Sequence, residues 1–194
     1  MRELRDDPIL ALWLVWAIYW CVAGLSAKTT SRREGIASRL THMVPLLLGV
    51  AIMMSPRLAG PYLAMRYLPR APWLFWLGFA LVAIGLGFSV LARVWLGGNW
   101  SGLVTLKHDH ELIRSGPYGF VRHPIYTGIL LAVLGSAIAM GEWRGLLGLA
   151  LFTGAFLHKM QIEEQFMTAQ FGADYARYRN EVPALIPMPR RRGG

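Results

Sequence analysis

The chain has 194 residues, enough for one domain of ordinary size, but 55% of them are hydrophobic and only 16% are charged. Soluble domains carry about 25% charged residues, so this composition excludes a soluble globular protein, a disordered chain and a fibrous repeat. The formal net charge of +9 does not indicate a nucleic-acid partner, because that function needs a basic face on a soluble fold. We therefore expect an integral membrane protein.

Apolar stretches between charged residues predict about five transmembrane helices. The first four stretches cover residues 8–27, 40–56, 71–92 and 124–141. A helix of about 20 residues is needed to cross roughly 30 Å of hydrocarbon. The fifth stretch begins at Gly145 and reaches Lys159 after only 14 residues, but no proline follows before Pro183. We expect this last helix to continue out of the membrane.

Small residues within the spans predict close contact between helix backbones. Ala83 with Gly87 and Gly135 with Ala139 have the four-residue spacing that places two small side chains on one helix face. His42 and His158 occur singly at span edges, which is typical of interfacial residues.

The distribution of positive charge predicts the orientation. With five spans, thirteen Lys and Arg residues fall on the side of the C-terminus and six on the other side. The positive-inside rule places the larger group in the cytoplasm. The 97–123 segment, the end of the fifth helix and the C-terminus would then share the cytoplasmic face.

The longest polar interruption runs from residue 97 to residue 123. Its five glycines, its three histidines and a Gly-Pro step exclude one continuous helix. We expect a short β-like stretch at 103–106 and a turn at 115–118. Irregular backbone of this length in a membrane protein must be buried in protein or lie at the interface, and is usually functional.

The segment ends in Arg122-His123-Pro124-Ile125-Tyr126-Thr127-Gly128. Proline suits the first turn of a helix because its missing N–H is not needed there. Arg122 and His123 would then lie at a helix N-terminus, where backbone N–H groups and the helix dipole favour an anionic group. The alternative is that both residues are interfacial anchors and that Tyr126 belongs to an aromatic belt.

A second cluster of charge follows the fifth span. Lys159 and Glu163 are four residues apart and share a helix face, whereas Glu164 is turned away by about 100°. They form either a simple surface salt bridge or a pair that holds an anionic substrate and a cationic cofactor, because ionisable groups at a membrane boundary tend to face a cavity.

Other kinds of site have little support. His108 and His110 are metal-ligand types without a third or fourth ligand at suitable spacing, so we expect no metal. The chain has no Gly-x-Gly-x-x-Gly motif after a strand, which excludes a dinucleotide-type cofactor domain.

Taken together, the motifs of the second half resemble the isoprenylcysteine carboxyl methyltransferase family, one of the small membrane methyltransferases that also include phospholipid methyltransferases. The matching residues are Gly98 to Ser101, His110 to Ile113, Ser115 to Tyr118, Arg122 to Gly128, Glu163 and Glu164, Phe171 to Tyr178, and Val182, Pro183 and Pro187. The resemblance implies an all-α integral membrane protein whose pocket for S-adenosylmethionine is formed on the cytoplasmic side by the 97–123 segment and the C-terminal helices. Residues 1–96 would supply transmembrane helices 1–3, and residues 97–194 the catalytic region.

Site residues follow from the resemblance position by position. The implied cofactor contacts are His110, Glu111, Leu112, Ile113, Tyr118, His123, Pro124, Ile125, Tyr126, Glu163 and Glu164. Lys159 stands where the family has an arginine that positions the substrate, and we expect it to align the acceptor with help from Arg122 or Asn99, beside Trp100. Lysine provides a point charge where arginine provides a planar fork, which leaves the substrate class open.

The implied reaction is methyl transfer to a lipophilic or prenylated acceptor, foremost the C-terminal carboxylate of a prenylated cysteine. Two alternatives stay open. One is a methyltransferase that acts on a phospholipid amine or a thiol, and its rate should rise with pH because those groups must lose a proton. The other is a non-catalytic protein that binds membrane lipid.

Overall fold

The computed structural model describes residues 7–25, 32–33, 35–97, 105–106 and 112–187. Its helices are α1 (Pro8–Leu25), α2 (Ile36–Met54), α3 (Pro56–Leu63), α4 (Pro72–Leu96), α5 (Pro124–Met140), α6 (Trp143–Phe171) and α7 (Ala173–Glu181), with a 3-10 helix at Gly116–Gly119. Two short strands, β1 (Arg32–Arg33) and β2 (Thr105–Leu106), pair antiparallel, so the β-like stretch predicted before residue 107 is confirmed at its last two residues.

Long apolar helices dominate the part of the chain that the structure describes. Helices α2, α4 and α6 are long and apolar enough to cross a membrane, while α1 and α5 are shorter apolar helices. A membrane protein built from helices is therefore confirmed, and the count of five spans stays a prediction. Helix α3, which follows directly after α2 and is interrupted at Gly60, was not predicted.

Helix α6 continues well beyond its apolar part, as predicted. Its 29 residues run without a break from Trp143 to Phe171. At 1.5 Å per residue it is about 43 Å long, more than the roughly 30 Å of a hydrocarbon core. Lys159 and Glu163 thus lie on regular helix, one turn apart.

Glycines determine how α4 and α5 pack. A Cβ at Gly85 would lie 2.4 Å from the backbone oxygen of Gly128, and one at Gly78 would lie 2.5 Å from that of Gly135. The two helices therefore run antiparallel with their backbones in contact. The predicted contact of Gly135 and Ala139 is confirmed, but the prediction for Gly87 is wrong, because a Cβ there would meet nothing within 4 Å. The glycines that form the contact, Gly78 and Gly85 on α4 and Gly128 and Gly135 on α5, are spaced by seven residues rather than four.

Helix α1 is held against this pair by polar contacts inside the bundle. The indole N–H of Trp13 donates to Ser136 Oγ at 3.0 Å, and that of Trp16 donates to Ser89 Oγ at 2.8 Å. Both rings also pack on the apolar cluster formed by α4, α5 and α6. A partly buried tryptophan also tends to find a partner for its N–H, and small hydroxyl side chains provide it here.

Arginines cap the C-terminal ends of four helices. They donate to backbone oxygens as follows: Arg93 to Ala23 and Gly97, Arg66 to Met140, and Arg144 to Met53. A positive charge at a helix C-terminus stabilises the dipole and satisfies carbonyls that have no partner within the helix. Two of these arginines, Arg66 and Arg144, are assigned by the five-span prediction to the side that is poorer in positive charge, and each has a structural role as a helix cap.

Helix α2 packs on α6. A Cβ at Gly49 would lie 3.0 Å from the Phe152 ring, and one at Gly148 would lie 2.4 Å from the Met53 side chain. His42 on α2 is only 5% exposed, so it is buried within the protein, while its position at the membrane interface stays a prediction. His158 on α6 is exposed.

Candidate functional site

The predicted site residues converge where the N-terminus of α5 meets the part of α6 beyond Lys159. Helix α5 begins at Pro124, which is fully buried, with His123 as its N-cap residue, as the motif predicted. Glu163 and Glu164 approach this end from α6. The anions at the helix N-terminus are therefore two carboxylates of the chain itself, which is the charge that such a terminus favours.

The ring of His123 lies between the two carboxylates. Its Nε2 is 3.2 Å from Glu164 Oε1, its Nδ1 is 3.5 Å from Glu163 Oε2, and its side chain is 10% exposed. Burial lowers the pKa of His123, but the hydrogen bonds and negative charges of Glu163 and Glu164 outweigh burial, so the pKa is raised above its ordinary value. Only the protonated ring can donate to both carboxylates, and the raised pKa favours that form.

Tyr126 joins this charge cluster to an aromatic column. Its hydroxyl donates to Glu163 Oε1 at 2.6 Å. Its ring stacks on His123, with centroids 5.6 Å apart, and on Phe156, with centroids 4.6 Å apart. The Lys159 ammonium lies 5.6 Å from the centroid of the same ring. A cation, a carboxylate and an aromatic face thus meet within one helix turn of α6.

Arg122 is held by the second carboxylate. Its Nε and Nη2 donate to Glu164 Oε1 at 2.9 and 2.7 Å, and its side chain is 9% exposed. Its Nη1 donates to the backbone oxygens of Arg179 and Val182. Since these contacts occupy the guanidinium, Arg122 joins α5, α6 and the end of α7 rather than presenting an open fork.

Residues 182–185, which we call the C-terminal strap, lie along the start of α5. The backbone N–H groups of Arg122 and His123 donate to Pro183 O at 2.9 Å and to Ala184 O at 3.0 Å. The Thr127 hydroxyl donates to Leu185 O at 2.7 Å. The carbonyls of the strap therefore accept hydrogen bonds from the N–H groups just before α5. Its position depends on the 122–128 motif, which provides these donors.

The end of the 97–123 segment packs on α7. Leu112 contacts the buried cluster of Tyr175, Tyr178 and Val182, and the Tyr178 hydroxyl donates to Tyr118 O at 2.7 Å. Burial raises the pKa of Tyr118, the charge of Glu163 raises it further, and the charge of Arg93 opposes both. Tyr118 is therefore close enough to Arg93 on α4 and to Glu163 on α6 for both charges to affect its pKa.

Arg93 is the residue of this region that the sequence analysis missed. It is 7% exposed near the end of α4, and its Nη1 and Nη2 donate to Gly97 O and Ala23 O, each at 3.0 Å. In the sequence it resembles an ordinary charge that ends an apolar run. The feature that could have identified Arg93 is its position inside a helix that continues to Leu96. A charge within a membrane span is costly and usually functional.

The structure brings together most of the predicted site. His123, Tyr126, Lys159, Glu163 and Glu164 form one cluster with Arg122. Ile125 packs on the neighbouring apolar cluster, and Leu112 and Tyr118 lie against α7. Ile113 is half-buried beside Leu112. Four predicted residues lie outside the described residues: Asn99, Trp100, His110 and Glu111.

The chain matches the family model for phospholipid methyltransferases over residues 73–174. Among its relatives, the protein-S-isoprenylcysteine O-methyltransferase of Schizosaccharomyces pombe is 33% identical over 115 residues, which cover 58% of this chain and 48% of the relative. The enzyme of that name from Xenopus laevis is 30% identical over 124 residues, which cover 62% of this chain and 43% of the relative. The chain therefore spans about half the length of these relatives.

The fold has a counterpart among solved structures. A eukaryotic intramembrane Ras methyltransferase, an isoprenylcysteine carboxyl methyltransferase, superposes with a TM-score of 0.55 and 20% sequence identity. The match covers 95% of this chain and 69% of that one. The likeness therefore includes most of residues 1–96, which lie before the sequence motifs.

Proposed function

Because the chain belongs to the phospholipid methyltransferase family, we propose that it is a membrane methyltransferase that uses S-adenosylmethionine to methylate a lipophilic acceptor, foremost the C-terminal carboxylate of a prenylated cysteine. The acceptor is suggested by the relatives, which are named protein-S-isoprenylcysteine O-methyltransferases. The observation that carries the proposal is the arrangement of Lys159 and Glu163 around the Tyr126 ring.

The residues present fit the cofactor. S-adenosylmethionine carries a positively charged sulfonium whose methyl group a nucleophile can accept. Cations bind well to aromatic faces and to carboxylates, and the cluster offers the Tyr126 ring beside Glu163. We assign Glu163, Tyr126 and His123 to cofactor binding, with Leu112, Ile113, Tyr118, Pro124 and Ile125 around them.

The charges favour an anionic acceptor. A carboxylate is already ionised at neutral pH, so it needs a cation to align it and no base to activate it. Lys159 provides the cation. His123 is poorly suited to act as a base for an amine, because both of its ring nitrogens face carboxylates, Nδ1 at 3.5 Å from Glu163 and Nε2 at 3.2 Å from Glu164. Catalysis would then consist of positioning and electrostatic stabilisation.

The surrounding residues hold this arrangement in place. Glu164 fixes Arg122 and His123, and Arg122 in turn holds the strap, so we assign Arg122 and Glu164 as positioning residues rather than as contacts to acceptor and cofactor. Asn99 and Trp100 are proposed to contact the acceptor, and His110 and Glu111 the cofactor.

We place the active site and the C-terminus on the cytoplasmic side, which the excess of positive charge supports. The cofactor would enter from water and the prenyl chain from the bilayer. Membrane lipid surrounds the exposed apolar residues of α1, α2 and α4, such as Val22, Leu47 and Ile84.

One observation favours a second candidate. The matching family model is that of phospholipid methyltransferases, whose name implies a phospholipid acceptor. If the acceptor is a phospholipid amine, it is protonated at neutral pH and Lys159 would repel it. The two candidates therefore predict opposite effects of removing the lysine charge.

The test uses purified full-length protein in lipid nanodiscs with methyl-labelled S-adenosylmethionine. S-farnesylcysteine with a free carboxylate and phosphatidylethanolamine are offered as acceptors in separate reactions. We expect label in the prenylcysteine, releasable as methanol by alkali as for a methyl ester, and a lower but measurable rate in Lys159→Gln. Label in the phospholipid, resistant to alkali and undiminished in Lys159→Gln, would contradict the carboxylate assignment and support the amine.

A further inference from the structure

His42 is a buried polar residue that the proposed site does not include. It lies on α2, in the part of the chain before the region matched by the family model, and only 5% of its surface is exposed. An ionisable side chain enclosed within a membrane helix is costly to bury and usually marks a pathway or a site.

His42 belongs to the stripe of α2 that packs on α6. The buried residues of α2 are His42, Gly49 and Ile52, and the seven-residue step from His42 to Gly49 returns to the same helix face. Leu46, one turn after His42, packs on the cluster that contains Phe152 and Phe156.

The register between the two helices places His42 near Lys159. Gly49 lies opposite Phe152 and Met53 lies opposite Gly148, so α2 and α6 run antiparallel. Moving seven residues back along α2 from Gly49 reaches His42. Moving seven residues forward along α6 from Phe152 reaches Lys159. Both helices advance 1.5 Å per residue, so His42 and Lys159 lie at the same level along the helix pair.

We propose that His42 is a further acceptor-binding residue, which donates a second hydrogen bond to the carboxylate that Lys159 attracts. An ammonium is a single point charge and does not fix both carboxylate oxygens, whereas two donors from different directions do. His42 on α2 and Lys159 on α6 would hold one oxygen each and orient the group for attack. This inference rests on the proposed function.

Steady-state kinetics on full-length protein in nanodiscs test the assignment, with S-farnesylcysteine as the acceptor. His42→Phe keeps a ring but removes the ring nitrogens and with them the N–H donor, and His42→Gln keeps a donor. We expect the acceptor KM to rise on the order of 10-fold or more in His42→Phe, as for loss of a hydrogen bond to a charged group. The rise should be smaller in His42→Gln, and the Kd of S-adenosylmethionine should be unchanged in both.

His158→Phe is the matched control, because this histidine is exposed on α6 and outside the site. A double-mutant cycle of His42→Phe with Lys159→Gln adds a second readout. If both side chains hold one carboxylate, the two effects on kcat/KM combine to less than their product. Multiplicative effects, or a wild-type acceptor KM in His42→Phe, would overturn the assignment.

Two further outcomes separate this inference from the proposed function. If wild-type protein does not methylate S-farnesylcysteine, the proposed function fails, and the role of His42 with it. If wild-type protein is active but His42→Phe does not bind cofactor, the kinetics are measured on His42→Leu and His42→Gln instead. A wild-type acceptor KM in a cofactor-binding His42→Leu would overturn the assignment.

Discussion

Replacing Glu164 with glutamine should loosen the C-terminal strap. Oε1 of Glu164 accepts from Arg122 at 2.9 and 2.7 Å and lies 3.2 Å from His123 Nε2. Glutamine has nearly the same shape but no charge. The variant would leave the Arg122 guanidinium, 9% exposed, without its counter-ion, while its bonds to the backbone of α7 and the strap persist.

The expected magnitude follows from this burial. Removing one partner of a buried ion pair costs about 3–5 kcal/mol, and the lower end applies here because Arg122 keeps two carbonyl partners. At about 1.4 kcal/mol per tenfold, a loss of ~3 kcal/mol makes local opening about 100-fold more frequent. The exchange of amide hydrogens that the strap protects should accelerate by the same factor.

Hydrogen exchange at Arg122 and His123 measures this opening directly, because their backbone N–H groups donate to Pro183 and Ala184. Glu181→Gln is the matched control, since Glu181 is exposed at the end of α7 and should leave exchange at the wild-type rate. If both amides exchange at the wild-type rate in Glu164→Gln, the charge of Glu164 does not hold the strap and the reasoning is refuted.

Three further predictions concern the cofactor residues and the packing. Tyr126→Phe keeps the aromatic stack but loses the 2.6 Å hydrogen bond to Glu163, so calorimetry should show S-adenosylmethionine binding weakened by about 10-fold; unchanged affinity would argue against this site. Gly85→Ala should destabilise the protein by several kcal/mol, because its Cβ would lie 2.4 Å from a backbone oxygen of α5, whereas Gly87→Ala should be nearly neutral in thermal unfolding; equal effects would exclude backbone contact between the helices. The raised pKa of His123 means that its ion pairs stabilise the fold fully below pH ~6.5 and that this contribution is lost as pH rises through the folded-state pKa. The difference in unfolding free energy between wild type and His123→Gln should therefore shrink with rising pH, and a difference that grows would contradict this sign.

Much of the site was predictable because its residues lie on regular helices. The four-residue step from Lys159 to Glu163 and the Pro124 start of α5 both follow from local rules that need no tertiary information. What those rules could not supply is the partner across helices. Helix geometry predicted that Glu164 points away from Lys159 and Glu163. The structure shows that Glu164 forms an ion pair with Arg122.

The glycines and arginines within the spans illustrate the same limit. Spacing alone favoured Gly87 as a packing position, but contact with α5 selects Gly85, because only the neighbouring helix decides which face is inside. Arg144 was counted only as a topology signal, and Arg93 was passed over. Each donates to a backbone carbonyl of a helix that is distant in sequence.

The sequence by itself determined that the chain is a helical membrane protein, where its long helices begin, and which motifs carry charge and aromatic rings to one end of the bundle. These properties depend on the composition and periodicity of contiguous residues, which the bilayer and the helix convert directly into structure. Only the tertiary structure decided that the Arg122 side chain holds the strap and that His42 is buried. Those outcomes depend on which helices touch and in which register, and that is set by the summed packing of residues far apart in the chain.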